Sequence, residues 1–255
     1  MDTPDVSIII PCYKGALFVA DSLRSLHSWT NGAGRRLGQW ECVFVDDGSA
    51  DGTGDVAASA FPGVHLVRLW PNQGKGAAVR AGMLAARGRY RFFTDADLPF
   101  GLDILHTMHR LLTDEACDIV TGARNRDAVS RSVQRSLLRQ ASSGIFTFLV
   151  AQLAPTGVRD TQCGIKGFSA AAAVFLFGLS RCNGFAFDVE ILYLARKYGF
   201  KVKSVPVTLM VEKPSTVSVF RDGLGMAMDA VAMPIRCRLG YYEPKTGDRE
   251  RDRGG

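Results

Sequence analysis

Two aspartates separated by one residue, Asp95 and Asp97, directly follow the apolar and aromatic segment Tyr90–Thr94. Two carboxylates at the end of a strand can turn toward one hard cation, and Mg²⁺ is commonly held by one or two carboxylates together with substrate phosphates. Such an ion would neutralise a departing diphosphate. The spacing therefore predicts a Mg²⁺ or Mn²⁺ site with Asp95 and Asp97 as its protein ligands, and the alternative is a solvated turn.

A second acidic pair, Asp46 and Asp47, follows the apolar segment Cys42–Val45 and precedes Gly48 and Ser49. A carboxylate at this place could accept a hydrogen bond from the N–H of a nucleotide base, and glycine lets the backbone pass close to a ligand. The same residues would also form an ordinary Asp-Gly turn with a helix cap. The pair alone leaves both interpretations open.

The segment Asn72–Gly76 contains two glycines and Lys75 at the predicted start of a helix. Free N–H groups at a helix N-terminus, small residues and a lysine favour phosphate binding. The segment matches neither the P-loop pattern nor the dinucleotide-binding glycine pattern. It indicates a phosphate site only in combination with the other motifs.

A cluster of arginines follows in the middle of the chain. Five lie within sixteen residues that contain one acid, Asp127: Arg124, Arg126, Arg131, Arg135 and Arg139. Arg135 and Arg139 are four residues apart and share a helix face. Arginine binds phosphate through paired donors, although a solvated basic face is the alternative. Nucleic-acid binding is disfavoured, because no aromatic residues interleave with the cluster and no recognition module is visible.

The elements that must position these residues alternate between strand and helix in the first half of the chain. Strand-like apolar segments are Val6–Ile10, Cys42–Val45, Val64–Leu69 and Tyr90–Thr94. Apolar strands separated by helices predict an α/β fold with a mostly parallel, Rossmann-like sheet covered by helices on both faces. In such sheets ligands bind at the carboxyl ends of the strands, which is where the acidic pairs lie.

The second half of the chain has a less regular pattern. We predict strands at Asp118–Thr121 and Lys201–Val207, and helices at Ser132–Leu153 and Phe187–Tyr198. The apolar stretch Phe168–Leu179 is interpreted as a core helix, because it is too short to span a bilayer. A last amphipathic stretch runs from Val217 to Leu239, and the charged tail is predicted to be disordered.

Composition narrows the function classes. The chain has 255 residues, a formal charge of +6 and 47% hydrophobic residues, which are globular values. The mild positive charge permits anionic partners without requiring them. The six cysteines form no closely spaced pair, and the acidic start of the sequence is unlike a signal peptide. We therefore expect a cytoplasmic protein with reduced thiols and no nucleic-acid partner.

Taken in order, the motifs resemble those of the inverting GT-A glycosyltransferases of family 2. The first half contributes Val6–Tyr13, Val45–Ser49, Asn72–Gly76 and Thr94–Asp97. The second half looks like the dolichyl-phosphate β-glucosyltransferase branch, through Gly157–Lys166, Phe185–Ala195, Gly122–Arg124 and Gln134–Ser136. The resemblance covers roughly residues 5–242.

The resemblance implies roles for individual residues. It places Pro11, Tyr13 and Asp47 near the nucleotide base, with Asp46 supporting that turn, and Lys75 near the donor. Asp95, Ala96 and Asp97 would contact the metal and the diphosphate. Gln162 and Asp188 would line the sugar site. The acceptor phosphate would be bound by Arg124, Arg135 and Arg139, and Asp97, Asp188 and Arg124 would be the catalytic residues.

Two positions depart from the family pattern. Lys14 and Gly15 stand where the family usually has Asn-Glu, which removes one expected nucleotide contact. Pro99 occupies the position at which mannose-transferring relatives often carry a glutamine, and its side chain cannot be a ligand. Metal coordination would therefore rest on fewer protein groups.

The resemblance implies that the protein moves a hexose, with glucose expected first, from a UDP-sugar to a polyprenyl phosphate of the dolichyl or undecaprenyl type. Two alternatives remain open. A hydroxyl acceptor would require a base, for which Asp188 is the natural candidate. A non-catalytic protein that binds sugar nucleotides or membranes could also keep the fold.

A lipid acceptor requires contact with a bilayer. We predict a catalytic domain at 1–212, amphipathic helices at 213–242 and a disordered tail at 243–255, with the protein peripheral on the cytoplasmic face of the membrane. Apolar positions repeat at steps of three and four residues: Val217, Phe220, Leu224, Met228, Val231 and Ile235. Arg221, Arg236 and Arg238 would meet anionic headgroups, with Tyr241 and Tyr242 at the interface. The alternative is a helix packed on the core.

Overall fold

The computed structural model of the chain describes residues 3–115, 117–124, 155, 157–158, 160–210 and 221–244. Its strands are β1 (Val6–Cys12), β2 (Trp40–Asp47), β3 (His65–Leu69), β4 (Tyr90–Thr94), β5 (Ile119–Arg124), β6 (Ile165–Ser169) and β7 (Val202–Val207). Its helices are α1 (Val19–Asn31), α2 (Thr53–Ala60), α3 (Lys75–Ala85), α4 (Ile104–Thr113), α5 (Ala170–Leu179), α6 (Phe187–Lys197) and α7 (Arg221–Arg238). A short 3₁₀ helix, Ala33–Leu37, links α1 to β2.

The seven strands form one sheet in the order β3-β2-β1-β4-β6-β5-β7. All neighbouring pairs are parallel except those of β6, which runs antiparallel to both β4 and β5. The prediction of a mostly parallel sheet is therefore confirmed. Because β1 has β2 on one side and β4 on the other, the order reverses at β1, and such reversal points are where open α/β sheets bind ligands.

Helices cover both faces of the sheet, as the apolar strands require. One buried cluster includes Ile9, Val45 and Phe93 and lies under α3, α5 and α6. The other includes Ile8, Phe44 and Phe92 and lies under α1, α2 and α4. Alternate residues of the central strands thus face opposite layers, which is the arrangement expected for strands buried on both sides.

The interpretation of Phe168–Leu179 as one helix is wrong at its first residues. Phe168 lies in β6, and the helix begins only at Ala170. Ser169 is the N-cap, and its hydroxyl accepts a hydrogen bond from the N–H of Ala172. The antiparallel strand inserted here brings the loop before it, residues 160–164, to the carboxyl edge of β4.

Pro11 lies inside β1, where a missing backbone donor would normally weaken the ladder. The pairing of β1 with β4 covers only Val6–Ile9, so Pro11 lies beyond that ladder while it still aligns with Val45 of β2. Proline is tolerated at such a position because its nitrogen faces no partner strand. The strand can therefore deliver the following loop to the edge of the sheet.

Candidate active site

The loops after β1 and β2 are fastened to each other at the carboxyl edge. The N–H of Lys14 donates to Oγ of Ser49 at 2.9 Å, and the N–H of Gly15 donates to Oγ1 of Thr53 at 2.8 Å. Lys14 adopts a left-handed conformation with φ of 55°, and its ammonium lies 5.1 Å from the centre of the Tyr13 ring. The half-exposed ring of Tyr13 therefore lies on a loop whose backbone is held by two hydrogen bonds.

Both aspartates at the end of β2 are buried and bind backbone. Asp46 accepts hydrogen bonds from the N–H groups of Ser49 and Gly54, at 3.0 and 3.1 Å. It therefore holds the turn after β2 and the first turn of α2, which is the Asp-Gly turn with a helix contact that the sequence left open as one interpretation. Burial raises the pKa of Asp47, although its hydrogen bonds act in the opposite direction.

Asp47 fixes the loop that precedes α3. Its Oδ1 accepts from the N–H of Gln73 at 2.8 Å, and its Oδ2 accepts from Asn72 Nδ2 at 2.7 Å and from the N–H of Gly74 at 2.9 Å. Gly48 permits this approach, because a Cβ there would lie 2.5 Å from the nitrogen of Asn72. The structure thus gives Asp47 a positioning contact. Its contact with the nucleotide base stays a prediction.

The expectation of free N–H groups at the start of α3 is wrong for Gly76 and Ala77. Both N–H groups donate to the carbonyl oxygen of Asn183, at 2.7 and 3.2 Å. The backbone of this turn is therefore occupied by protein. The phosphate-binding potential of the segment lies in the side chain of Lys75.

Lys75 and Asp95 form an ion pair across the site, with Nζ 2.6 Å from Oδ1. Burial lowers the pKa of Lys75, but the charges of Asp95, Asp188 and Asp97 outweigh that effect and raise it. The lysine therefore remains a cation next to the two aspartates that follow β4. Asp97 is half-buried, as expected for the end of a strand, and Ala96 between them is buried.

The two aspartates fit a hard divalent cation in chemical type, because carboxylate oxygens are the ligands that such ions prefer. Among the residues that the structure describes, no group of three or more His, Cys, Asp or Glu side chains could hold a metal ion. Further ligands would therefore have to come from substrate phosphates, which is common for Mg²⁺. One further contact is close: a Cβ at Gly164 would collide with Oδ2 of Asp95.

Arg124 ends β5 at the same edge and is held by a buried carboxylate. Its Nε and Nη2 donate to the two oxygens of Asp160, at 2.7 and 2.9 Å. Burial would raise the pKa of Asp160, but the hydrogen bonds and charge of Arg124 lower it. The arginine side chain is 40% exposed against 5% for the aspartate, so Asp160 orients a guanidinium that still faces solvent.

Asp188 forms a second, deeper ion pair. Its Oδ1 lies 2.5 Å from Nζ of Lys166, and both side chains are almost completely buried. The ammonium of Lys166 also donates to the carbonyl of Cys163 and lies 5.4 Å from the centre of the Phe93 ring. Burial raises the pKa of Asp188, while the positive charges of Lys166 and Lys75 oppose that rise. A general base at Asp188 would first have to exchange this partner.

The remaining predicted residues fall into two groups. Gln162 is half-buried, and its Nε2 lies 3.8 Å from Sδ of Met226, which links the 160–164 loop to α7. Arg135 and Arg139 lie outside the described residues.

Sequence reasoning assigned no role to Asp160, Lys166 or Asn183. The sequence offered a signal for Lys166 only. A lysine among apolar residues indicates a buried ammonium, which requires an acidic partner.

The Glycosyl transferase family 2 profile matches residues 7–176, which include the ends of β1, β2, β4 and β5. The chain belongs to glycosyl transferase family 2. The predicted family and the prediction of a glycosyltransferase enzyme are thereby confirmed.

Two dolichyl-phosphate β-glucosyltransferases are similar to this glycosyltransferase over most of its length. The dolichyl-phosphate β-glucosyltransferase of Dictyostelium discoideum is 31% identical over 96% of this chain and 79% of its own. The enzyme of the same name from Drosophila melanogaster is 34% identical over 94% of this chain and 78% of its own. These similarities extend beyond residue 176, where the profile match ends.

A solved structure shares the fold at low sequence identity. Glucosyl-3-phosphoglycerate synthase from Mycobacterium tuberculosis, in complex with Mn²⁺, UDP and glucosyl-3-phosphoglycerate, is 20% identical. It superposes with a TM-score of 0.65 over 96% of this chain and 82% of that one. The GT-A fold of this glycosyltransferase is thereby confirmed.

Proposed function

We propose that this glycosyltransferase moves glucose from UDP-glucose to a polyprenyl phosphate, with inversion at the anomeric carbon and with a divalent cation. The observation that carries the proposal is the convergence of Asp95, Asp97, Lys75 and Arg124 at one edge of the sheet. This set combines carboxylates for a cation with two cationic side chains for phosphates. The similarity to dolichyl-phosphate β-glucosyltransferases supports the choice of glucose and of a dolichyl-type acceptor.

The donor would lie along the ends of β1, β2 and β4. Tyr13 would contact the base from the loop after β1, and Asp95 and Asp97 would hold Mg²⁺ or Mn²⁺ against the diphosphate. The bound ion would supply charge neutralisation to the departing UDP. Lys75 would donate a hydrogen bond to the same phosphates, because its ammonium already lies beside Asp95.

The acceptor would approach from the side of Arg124. A phosphate monoester is largely anionic at neutral pH, since its second pKa is about 6, and it requires positioning more than a general base. The bonds to Asp160 use Nε and Nη2, so Nη1 is the group that would donate to the acceptor. An acceptor oxygen would then attack the anomeric carbon as the bond to UDP breaks.

The test of the proposed function is a panel of UDP- and GDP-sugars, each incubated with either a short polyprenyl phosphate or the corresponding polyprenyl alcohol, and with either Mg²⁺ or Mn²⁺. We expect glucosylated lipid and released UDP in equal amounts from UDP-glucose. Transfer from another sugar nucleotide would replace the proposed donor. Transfer to an alcohol but not to a polyprenyl phosphate would replace the proposed acceptor.

Arg124→Ala should weaken the acceptor more than the donor. The loss of one charged hydrogen bond costs about 1.5–3 kcal/mol, so we expect the KM for polyprenyl phosphate to rise about 10- to 100-fold. The KM for UDP-glucose should change little. Steady-state kinetics with each substrate varied in turn would measure both values.

The matched control is Arg24→Ala on α1, because Arg24 is also ion-paired, with Asp21 at 2.7 Å, but lies elsewhere on the surface. A rise in the donor KM alone for Arg124→Ala would contradict the acceptor assignment. Full loss of transfer in an Asp188→Asn protein that keeps the circular dichroism of the folded state, with Arg124→Ala still active, would favour the hydroxyl acceptor with Asp188 as base.

We further propose that the protein is peripheral on the cytoplasmic face of a membrane and contacts it through α7. Within the described residues, no helix has the length and apolar character needed to cross a bilayer. One face of α7 nevertheless presents apolar side chains to solvent at steps of three and four residues: Met228, Val231, Ile235 and Leu239, the last just beyond the helix. Ala230 and Met233 face the core instead. An exposed apolar stripe on a helix fits the bilayer interface.

Two of the polar side chains that were predicted to face the membrane, Arg236 and Tyr242, face the protein instead. Arg236 is half-buried and pairs with Asp229 at 3.1 Å, so its charge is directed toward the protein. Arg238 and Tyr241 are exposed beside the stripe. The assignment of Tyr242 to the interface is wrong, because Tyr242 is fully buried. Val217 and Phe220 lie outside the described residues, as does the side chain of Leu224.

Val231→Asp combined with Ile235→Asp should abolish binding to anionic vesicles. Each charge placed in the interface opposes insertion, while both positions are more than half exposed in the folded protein, at 52% and 55%. The measurement is co-sedimentation with phosphatidylserine-containing liposomes at low salt. The control is Leu84→Asp with Val174→Asp, because those side chains are similarly exposed, at 46% and 50%, on other helices. Equal loss in both double variants would remove α7 as the specific contact.

A further inference from the structure

Glu190 is a buried carboxylate that the proposed reaction does not use. It lies on α6, two residues beyond Asp188, and its side chain is completely inaccessible to solvent. It accepts hydrogen bonds from the N–H groups of Arg181 and Cys182, both at 2.9 Å, and from the hydroxyl of Tyr242 at 2.8 Å. A buried carboxylate with three donors holds its neighbours in fixed positions.

The backbone that Glu190 holds caps the helix of the donor lysine. The carbonyl of Asn183 accepts from the N–H groups of Gly76 and Ala77, and its side-chain Oδ1 accepts from Arg80 Nη2 at 2.6 Å. The 181–183 segment therefore contacts α3 through backbone and side chain together. Lys75 is the first residue of that helix.

The 181–183 segment packs so closely against the start of α3 that neither can move without the other. A Cβ at Gly74 would lie 2.6 Å from the carbonyl oxygen of Asn183, and one at Gly76 would lie 2.5 Å from that of Cys182. Displacement of the segment would therefore displace the turn that carries Lys75. On the other side, Asp47 holds the same turn through the N–H of Gly74.

Tyr242 connects this assembly to the end of α7. Its ring is fully buried, and its carbonyl oxygen accepts a hydrogen bond from the hydroxyl of Tyr198 at 2.5 Å. Burial and the charge of Glu190 raise the pKa of Tyr242, so its hydroxyl keeps its proton as the donor. A continuous path of hydrogen bonds and close contacts thus joins Tyr242 to the turn that carries Lys75.

We propose that Glu190 and Tyr242 are positioning residues for Lys75, so that the segment following α7 takes part in donor binding. This inference rests on the proposed role of Lys75 at the donor phosphates. It assigns a function to a part of the chain beyond the segment that the family profile matches, which ends at residue 176.

The test compares UDP binding by Tyr242→Phe and the wild-type protein in the presence of Mn²⁺, by calorimetry. Removal of the hydroxyl keeps the buried ring, and we expect the Kd for UDP to rise about three- to tenfold, the range typical of residues that act through others. The KM for polyprenyl phosphate should stay within about twofold. Glu190→Gln should act in the same direction with a larger effect, since it alters all three hydrogen bonds.

Two further measurements separate positioning from general loss of stability. Hydrogen exchange at the amides of Gly76 and Ala77 should accelerate in Tyr242→Phe more than exchange in the central strands. In a Lys75→Ala background, Tyr242→Phe should have no further effect on the Kd, because the two substitutions then act through one contact. Tyr198→Phe is the matched control, since it removes a hydroxyl that bonds the backbone of Tyr242 and leaves the hydrogen bond between Tyr242 and Glu190 in place.

The outcomes distinguish this inference from the proposed function. If the wild-type protein does not bind UDP, the proposed function fails and the inference fails with it. If the wild-type protein binds UDP and Tyr242→Phe binds it equally well, only the inference is overturned. Additive effects in the Lys75→Ala background, or an equal effect of Tyr198→Phe, would also overturn it.

Discussion

Asp97→Asn is expected to lower kcat by at least about a hundredfold, because electrostatic stabilisation of a leaving group is commonly of that size. Asp97 lies three residues beyond the end of β4, next to the Lys75–Asp95 pair. The carboxylate would hold the cation against the departing diphosphate, and asparagine supplies only a weaker neutral ligand. The measurement is steady-state transfer from UDP-glucose to a short polyprenyl phosphate with saturating Mn²⁺.

The fold should survive this change, since Asp97 is half-buried and asparagine has nearly the same size. Asp114→Asn is the matched control, because Asp114 is exposed at the end of α4 and the substitution removes one carboxylate there as well. The control should keep wild-type kcat and the same unfolding midpoint. Full activity of Asp97→Asn, or of the wild-type protein in excess chelator, would contradict the role of the metal.

The pattern of apolar strands predicted the first half of the fold, because a strand that is buried on both faces has a continuous run of apolar residues. The segment Tyr90–Thr94 coincides with β4, and the helix expected to start within Asn72–Gly76 is α3, which begins at Lys75. The carboxyl ends of these strands carried the acidic pairs, so their convergence followed from parallel topology alone.

Strand β6 was missed for a physical reason. Its five residues include Lys166 and Gly167, which break the apolar pattern, and its last residues continue without interruption into the apolar helix α5. Only Ser169, as an N-cap, marks the boundary. The lysine is tolerated because Asp188, distant in sequence, neutralises it inside the core.

The contacts that organise the donor side could not be predicted from local pattern. Asp47 meets Gly74 across 27 positions, and Arg80 meets Asn183 across 103. Whether a carboxylate binds a ligand or the protein backbone depends on such contacts between residues that are distant in sequence. The same holds for Tyr242, whose neighbour Tyr241 is exposed although both are aromatic residues at the end of one amphipathic stretch.

Lys166→Met is expected to reduce the free energy of unfolding by about 3–5 kcal/mol at neutral pH, since loss of one partner leaves a buried charge unpaired. Lys166 is fully inaccessible, and Asp188 is 5% exposed. Methionine matches the lysine stem in length, so the volume of the core is nearly preserved. Urea unfolding at pH 7, followed by circular dichroism, would measure the change.

The destabilisation should shrink as the pH falls. Burial already raises the pKa of Asp188 above its ordinary value, and removal of Lys166 takes away the main charge that opposes this rise. The folded variant therefore binds a proton at this site at pH values where the unfolded chain has released it, and its stability increases toward acid relative to wild type. Parallel urea titrations at pH 7 and about pH 5 would reveal the difference.

A second substitution separates the charge from the packing. Lys166→Met combined with Asp188→Leu removes both charges, and replacement of a buried pair by apolar residues is often close to neutral, so most of the lost stability should return. If Lys166→Met alone were as stable as the wild-type protein at pH 7, the pair of Lys166 and Asp188 would contribute nothing to the stability of the folded protein, and this prediction would be wrong.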